Sequence, residues 1–263
     1  MVRKVAVMAL SGGMDSTSLL MRLLSDEYEV HAVLYDYGQK HRIELQRALA
    51  NLAYLAQNNH HVTHQVIDLT SAMSSLHSAL TDDSMAVPEG HYEEEQMKQT
   101  VVPNRNAIFA SILYAHALSL ATKERVNVEI ALGVHSGDHA IYPDCRPRFY
   151  AALATAFEEG NWDSEFVSFM LPYIDGDKET ILRDAEQTIE QLGLDFDTVF
   201  ANTNTSYNPD ELGRSAGTSG ADVERILAFH AIGRMDPASY VKPWNEVLED
   251  ALAVEANHRG VTT

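Results

Sequence analysis

The 263-residue sequence predicts an α/β protein built on a doubly wound parallel sheet, with a small helical C-terminal region. Three observations carry that reading. Short apolar runs of strand character alternate with stretches of helical periodicity, which is the order of βαβ units. The first run, residues 5–10, is apolar at every position, as in a strand covered on both faces. Polar, glycine-containing segments follow three predicted strands, at residues 11–16, 36–41 and 133–146, and open parallel sheets bind ligands at the carboxyl ends of their strands.

Each element has its own signal. Residues 5–10 form the first strand. Residues 16–25 set Leu19, Leu20, Leu23 and Leu24 on one side and predict a helix. Residues 29–35 are the second strand, and residues 43–56, rich in Leu and Ala, the next helix. Residues 61–68 alternate and predict a third strand. Residues 81–100 carry Pro88, Gly90 and the acidic run from Glu93 to Glu95, and read as an exposed loop or mobile lid with a solvated charge run. A long apolar helix spans 106–122, a buried strand 126–132, and a turn-rich stretch 133–147. Helices follow at 148–159 and 178–192, then a loop over 202–220 and a last helix over 222–233. This divides the chain into an α/β domain over residues 1–200 and a loop-helix region over 201–263, packed as one unit with the first.

Composition narrows the function classes. The formal charge of -19, from 38 acidic and 19 basic residues, repels phosphate backbones and argues against a nucleic-acid partner. It leaves room for a locally positive nucleotide pocket. No apolar stretch approaches the roughly 18 residues that span a bilayer. The N-terminal run enters a glycine turn with no cleavage-site pattern, so no signal peptide and no membrane partner are expected. The single cysteine, Cys145, excludes an internal disulfide and fits a reduced cytoplasmic setting. It reads as structural, not nucleophilic. His60, His61 and His64 do not read as a metal site, since a strand would put His61 opposite the other two.

The chemistry starts at Ser11-Gly12-Gly13-Met14-Asp15-Ser16. Adjacent glycines let successive backbone N–H groups converge, and the helix that follows adds its positive end. Ser11 and Ser16 offer hydroxyl donors. Asp15 is placed to cap the helix or to hold a Mg²⁺ that bridges phosphates. The string is neither a Walker loop nor a G-x-G-x-x-G turn. It resembles the pyrophosphate loop of the N-type ATP pyrophosphatases, which implies ATP cleaved to AMP and pyrophosphate.

Three further strings follow in order: Asp36-Tyr-Gly-Gln-Lys-His41 with Glu44-Leu45, Val102-Pro-Asn-Arg-Asn106, and Gly133 with Tyr142-Pro-Asp-Cys-Arg-Pro147. Together with the loop they resemble the 7-cyano-7-deazaguanine synthase family, over most of the chain. The resemblance implies a sheet of the adenine nucleotide alpha hydrolase-like type and an ATP-dependent carbon–nitrogen ligase. ATP would adenylate 7-carboxy-7-deazaguanine and ammonia would give the amide. A second ATP would activate the amide oxygen, leaving the nitrile. A guanine-like edge asks for one carboxylate that accepts two N–H groups, here Asp144 or else Asp138. A carboxylate substituent asks for a guanidinium, here Arg105 or Arg146, with Asn106 beside it. Lys178 matches a family lysine and could approach the phosphates together with Asp15 and Ser16. Gln39 and His41 could contact the nucleotide or manage a proton. ATP and Mg²⁺ are the implied cofactors, small molecules the implied partners, and ammonia is expected free or from a separate protein. The resemblance admits a homodimer, for which no residue argues.

One departure stands out. The family ends in a four-cysteine zinc site, and the corresponding positions here are Ser206, Ala216, Ser219 and Asp222. Alanine offers no ligand and serine a poor one, so no zinc is expected. The loss leaves the product open between nitrile and amide. Thiolation of a tRNA base fits poorly with one cysteine and an acidic chain. A nucleotide-sensing protein without turnover is the non-enzymatic alternative.

Overall fold

The structure is a computed structural model and describes residues 3–82 and 84–261. Five strands form one parallel sheet among these residues: β1 (Val5–Ala9), β2 (Glu29–Asp36), β3 (Thr63–Asp68), β4 (Val128–Ala131) and β5 (Val167–Met170), in the spatial order β3-β2-β1-β4-β5. Val5 pairs with Glu29 on one side and with Val128 on the other, so β1 is central. The order reverses beside β1, and that switch point opens a crevice at its carboxyl end.

The helices are α1 (Met14–Ser25), α2 (Ile43–Gln57), α3 (Thr70–Met73), α4 (Arg105–Glu124), α5 (Pro147–Gly160), α6 (Lys178–Gln191), α7 (Phe196–Ala201), α8 (Gly220–Ala231) and α9 (Trp244–Val261). Alternation along β1 divides the core. Ala6 and Met8 face a cluster with Leu19, Leu23, Leu52, Ile181 and Phe229, from α1, α2, α6 and α8. Val5 and Val7 face Leu113, Tyr114 and Ala117 of α4 and Tyr150 of α5. Both faces of the sheet are covered, which is why β1 reads as an unbroken apolar run.

Four elements lie outside the sequence expectations. β5 has four residues at the sheet edge, three half-buried and Ser168 exposed, too short for a periodic signal. α3 and α7 have four and six residues. α9 is long, and its apolar positions Val247, Leu248, Ala251 and Val254 pack on Val223 and Ile226 of α8. Pro243 just before it is an ordinary start signal that the sequence reading passed over. The segment over 81–100 is loop, as expected, but ends in a 3₁₀ turn over Glu95–Thr100. Its Tyr92 and Met97 are buried, and Gly90 donates its N–H to the Thr218 carbonyl. Residue 83 of that loop lies outside the described residues. No described helix is long and apolar enough to cross a membrane.

Candidate functional site

The turn after β1 needs its glycines for different reasons. Gly12 has φ +87°, and a Cβ there would stand 2.0 Å from the Glu44 carbonyl oxygen. Gly13 is the N-cap of α1 in extended conformation, with no side chain capping the helix. The Gly13 N–H donates to Ser11 Oγ at 3.2 Å, the Ser11 N–H donates to Ser16 Oγ at 3.2 Å, and the two hydroxyls are 3.0 Å apart. A helix N-terminus free of a capping side chain, with two hydroxyls beside it, is suited to an anion.

Next to the turn sits a compact charged centre. Lys178 opens α6 and is buried, with its Nζ 2.9 Å from Asp15 Oδ2 and 3.3 Å from Glu224 Oε2. Burial pulls the Lys178 pKa down, but Asp15, Glu224 and Asp138 outweigh it and raise it, so it is an ammonium at neutral pH. Burial likewise raises the Asp15 carboxyl, but Lys178 and His135 bring it below the usual carboxylate range. His135 is fully buried, and its Nδ1 accepts the Gly137 N–H at 3.1 Å. Its Nε2 faces Asp138 at 3.6 Å and Asp15 at 3.8 Å. Nε2 is also 3.0 Å from Lys178 Nζ.

Beyond this centre the space becomes aromatic. A cavity of about 250 Å³ is lined by the turn, by Tyr35, Tyr37, Phe109 and Tyr150, and by Arg105. The Arg105 guanidinium lies 5.9 Å from the Tyr37 ring centroid. Tyr92 donates its hydroxyl to Asp138 Oδ1 at 2.8 Å. His41 and Glu44 close the far end. Burial pushes His41 down to about 3 and Glu44 up to about 8. Their 3.4 Å approach is thus a contact of two neutral groups at pH 7, not an ion pair.

Of the residues singled out in the sequence, Ser11, Gly13, Asp15, Ser16, His41, Arg105, Asn106, Asp138 and Lys178 line this one cavity. Four others stand behind the wall. Gly12 shapes the turn. Gln39 is buried and bonds Tyr37 N–H, the Tyr35 carbonyl and Glu44. Asp144 accepts the Asn106 N–H at 3.4 Å under the start of α4. Arg146 donates Nε to the His139 carbonyl at 2.7 Å. Of the two carboxylates weighed for a ring edge, Asp138 faces the cavity and Asp144 does not. Asn106 Nδ2 donates to Cys145 Sγ, whose thiol is pushed up by burial, as befits a structural cysteine. Sequence reasoning passed over His135 and Glu224. Glu224 lies two residues past Asp222 and His135 two residues past Gly133, so both were adjacent to positions already singled out.

The four positions that carry cysteine in the resembling family do not fit a zinc ion. Asp222 Oδ2 accepts from Ser206 Oγ at 3.2 Å and from Ser219 Oγ at 2.7 Å, and Ser219 with Asp222 forms a capping box on α8. Ala216 supplies nothing. Asp15 does fit a cation, because its buried Oδ1 has no hydrogen-bond partner among the described residues.

A sequence model of the family described as "Queuosine biosynthesis protein QueC" matches residues 5–233. The 7-cyano-7-deazaguanine synthase of Methanoregula boonei is 40% identical over 235 residues, covering 89% of this chain and 98% of that protein. That of Alteromonas mediterranea is 43% identical over 236 residues, covering 89% and 97%. The 7-cyano-7-deazaguanine synthase 1 of Colwellia psychrerythraea is 40% identical over 240 residues, covering 91% and 100%.

Proposed function

We infer that this chain, which belongs to the QueC family of queuosine biosynthesis proteins, makes 7-cyano-7-deazaguanine from 7-carboxy-7-deazaguanine, ammonia and ATP. The observation that carries the reading is that a glycine turn at a helix N-terminus with no capping side chain and an aromatic-lined space share one cavity, with Lys178 and Arg105 both on its wall.

In this reading the β,γ-phosphates of ATP rest on the backbone of residues 11–16, with Lys178 beside them. Fixed dipoles there meet the charge that grows on pyrophosphate as it leaves. Asp15 would hold Mg²⁺, which when bound neutralises phosphate charge. The deazaguanine ring lies among Tyr35, Tyr37 and Phe109, its N–H edge on Asp138 and its carboxylate against Arg105 and Asn106. A carboxylate oxygen attacks the α-phosphorus and pyrophosphate departs. Ammonia then attacks the acyl carbon, loses a proton, and AMP leaves, giving the amide. The amide oxygen attacks a second ATP in the same way. Loss of AMP and of the nitrogen's protons leaves the nitrile.

Zinc at the Ser206, Ala216, Ser219 and Asp222 positions plays no part in this account. Residues 201–263 act as one unit with the rest, through α8 on α6. The working partners are small molecules, without nucleic acid or membrane, in the cytoplasm, and a homodimer is compatible with the reading.

The test is mass spectrometry on purified protein with 7-carboxy-7-deazaguanine, Mg-ATP and ammonium. A nitrile product with AMP supports the reading. No AMP at all overturns it in favour of a different acid or a sensing role.

A further inference from the structure

A second group of ligating side chains lies outside the cavity, where the 81–100 segment meets α9. His91 and Glu93 come from the segment, and Glu255 and His258 from the helix. Ligand atoms of His91, Glu93 and His258 all lie within 4.8 Å of one another. The two imidazole rings stack with centroids 3.6 Å apart and planes within 6°. His91 Nε2 is 3.1 Å from Glu255 Oε2, and His258 Nε2 is 3.4 Å from Glu93 Oε2. Glu255 and His258 are three residues apart on one helix and share a face. Two imidazoles and one carboxylate thus converge from segments far apart in the chain, with Glu255 against His91.

We propose that His91, Glu93 and His258, with Glu255 beside His91, bind one divalent transition metal of the zinc class. Imidazole selects such metals over Mg²⁺ and Ca²⁺, and one carboxylate with a solvent oxygen completes a tetrahedral set. Bond lengths of about 2.0–2.2 Å set tetrahedral ligand atoms roughly 3.3 Å apart, and one ion cannot lie in both planes of a parallel stack, so binding turns one ring out of the stack and draws in the half-exposed Glu93. His91 Nδ1 accepts the Glu93 N–H at 3.2 Å, so ligation through Nε2 moves the ring proton to Nδ1 and gives up that bond.

The placement gives the metal a role. His91 and Glu93 flank Tyr92, whose hydroxyl donates to Asp138 in the cavity. A smaller cavity of about 160 Å³ separates the cluster from Glu224, the carboxylate beside Lys178. A metal there pins α9 to the segment and fixes Tyr92 over the site. α9 lies beyond residues 5–233, so the site uses residues outside the stretch that matches the family. It uses none of the positions of the family's four cysteines.

The test is zinc titration of full-length, chelator-stripped protein by calorimetry, with melting temperature read alongside. We expect one zinc per chain and a rise in Tm of a few degrees. His258→Ala should weaken binding at least tenfold and remove the Tm rise. Glu93→Gln, at an exposed side chain, should do the same if His258→Ala fails to fold. Equal zinc affinity in wild type and both variants, or no zinc bound by wild type, overturns the proposal.

Discussion

Lys178 is where the molecule concentrates buried charge, and Asp15 is its direct partner at 2.9 Å. Removing Asp15 leaves Lys178 with Glu224, so the ammonium keeps a carboxylate and the fold survives. Asp15→Ala is therefore expected to cut AMP formation by about 10²–10³-fold or more with unchanged circular dichroism. Turnover near wild type would remove Asp15 from the phosphate site. Glu44 gives a second expectation. Its carboxyl is held protonated up to about 8, above its ordinary 4.5, by burial. Between those values the native state keeps a proton that the unfolded chain has lost, so this contribution to stability is full below pH 4.5 and is lost as pH rises to 8. Glu44→Gln should flatten that decline, by at most about 1.4 kcal/mol per pH unit, in denaturation curves taken at pH 5 and pH 8. Parallel pH dependence in both proteins would mean that Glu44 ionises normally. Asp15 and Arg105 were legible in the sequence because each sits in a string with its own chemistry, and Lys178 only through the family resemblance. His135 and Glu224 were not, because only the tertiary fold brings β4, α6 and α8 to one point. Gln39, Asp144 and Arg146 show the converse. Their strings border the site, yet their side chains serve the loops that build it.

At the scale of elements, strands and helices with strong periodicity were readable to within a few residues. Short elements such as β5 and α7 give too few positions to show a period. The C-terminal frame is the instructive case. Where the resembling family has cysteines, this chain has a hydrogen-bonded serine–aspartate cluster, and beneath it Arg225 bonds Asp236 through Nε at 2.6 Å and Nη2 at 2.9 Å. The same guanidinium reaches Thr203 Oγ1 at 2.8 Å and Thr205 Oγ1 at 3.0 Å. This buried network ties α8 to the 202–206 and 236–240 loops. Arg225→Met would strand the Asp236 carboxylate without a counter-charge. A loss of about 3–5 kcal/mol in unfolding free energy by urea denaturation is expected. A loss below about 1 kcal/mol would mean that the frame is held by something else.

At the scale of the whole molecule, the parallel sheet and its switch point set the cavity in a chain whose net charge is -19. Lys178 and Arg105 give the cavity its positive groups, so an acidic protein can still receive a nucleotide. The central claim is that one cavity performs both activations, without zinc at the family's cysteine positions. The most direct measurement is the ratio of AMP to nitrile formed from 7-carboxy-7-deazaguanine at saturating Mg-ATP and ammonium. Two AMP per nitrile, with no amide left at completion, is the expected result. One AMP per molecule of accumulated amide would contradict it, and would mean that the chain performs only the first activation.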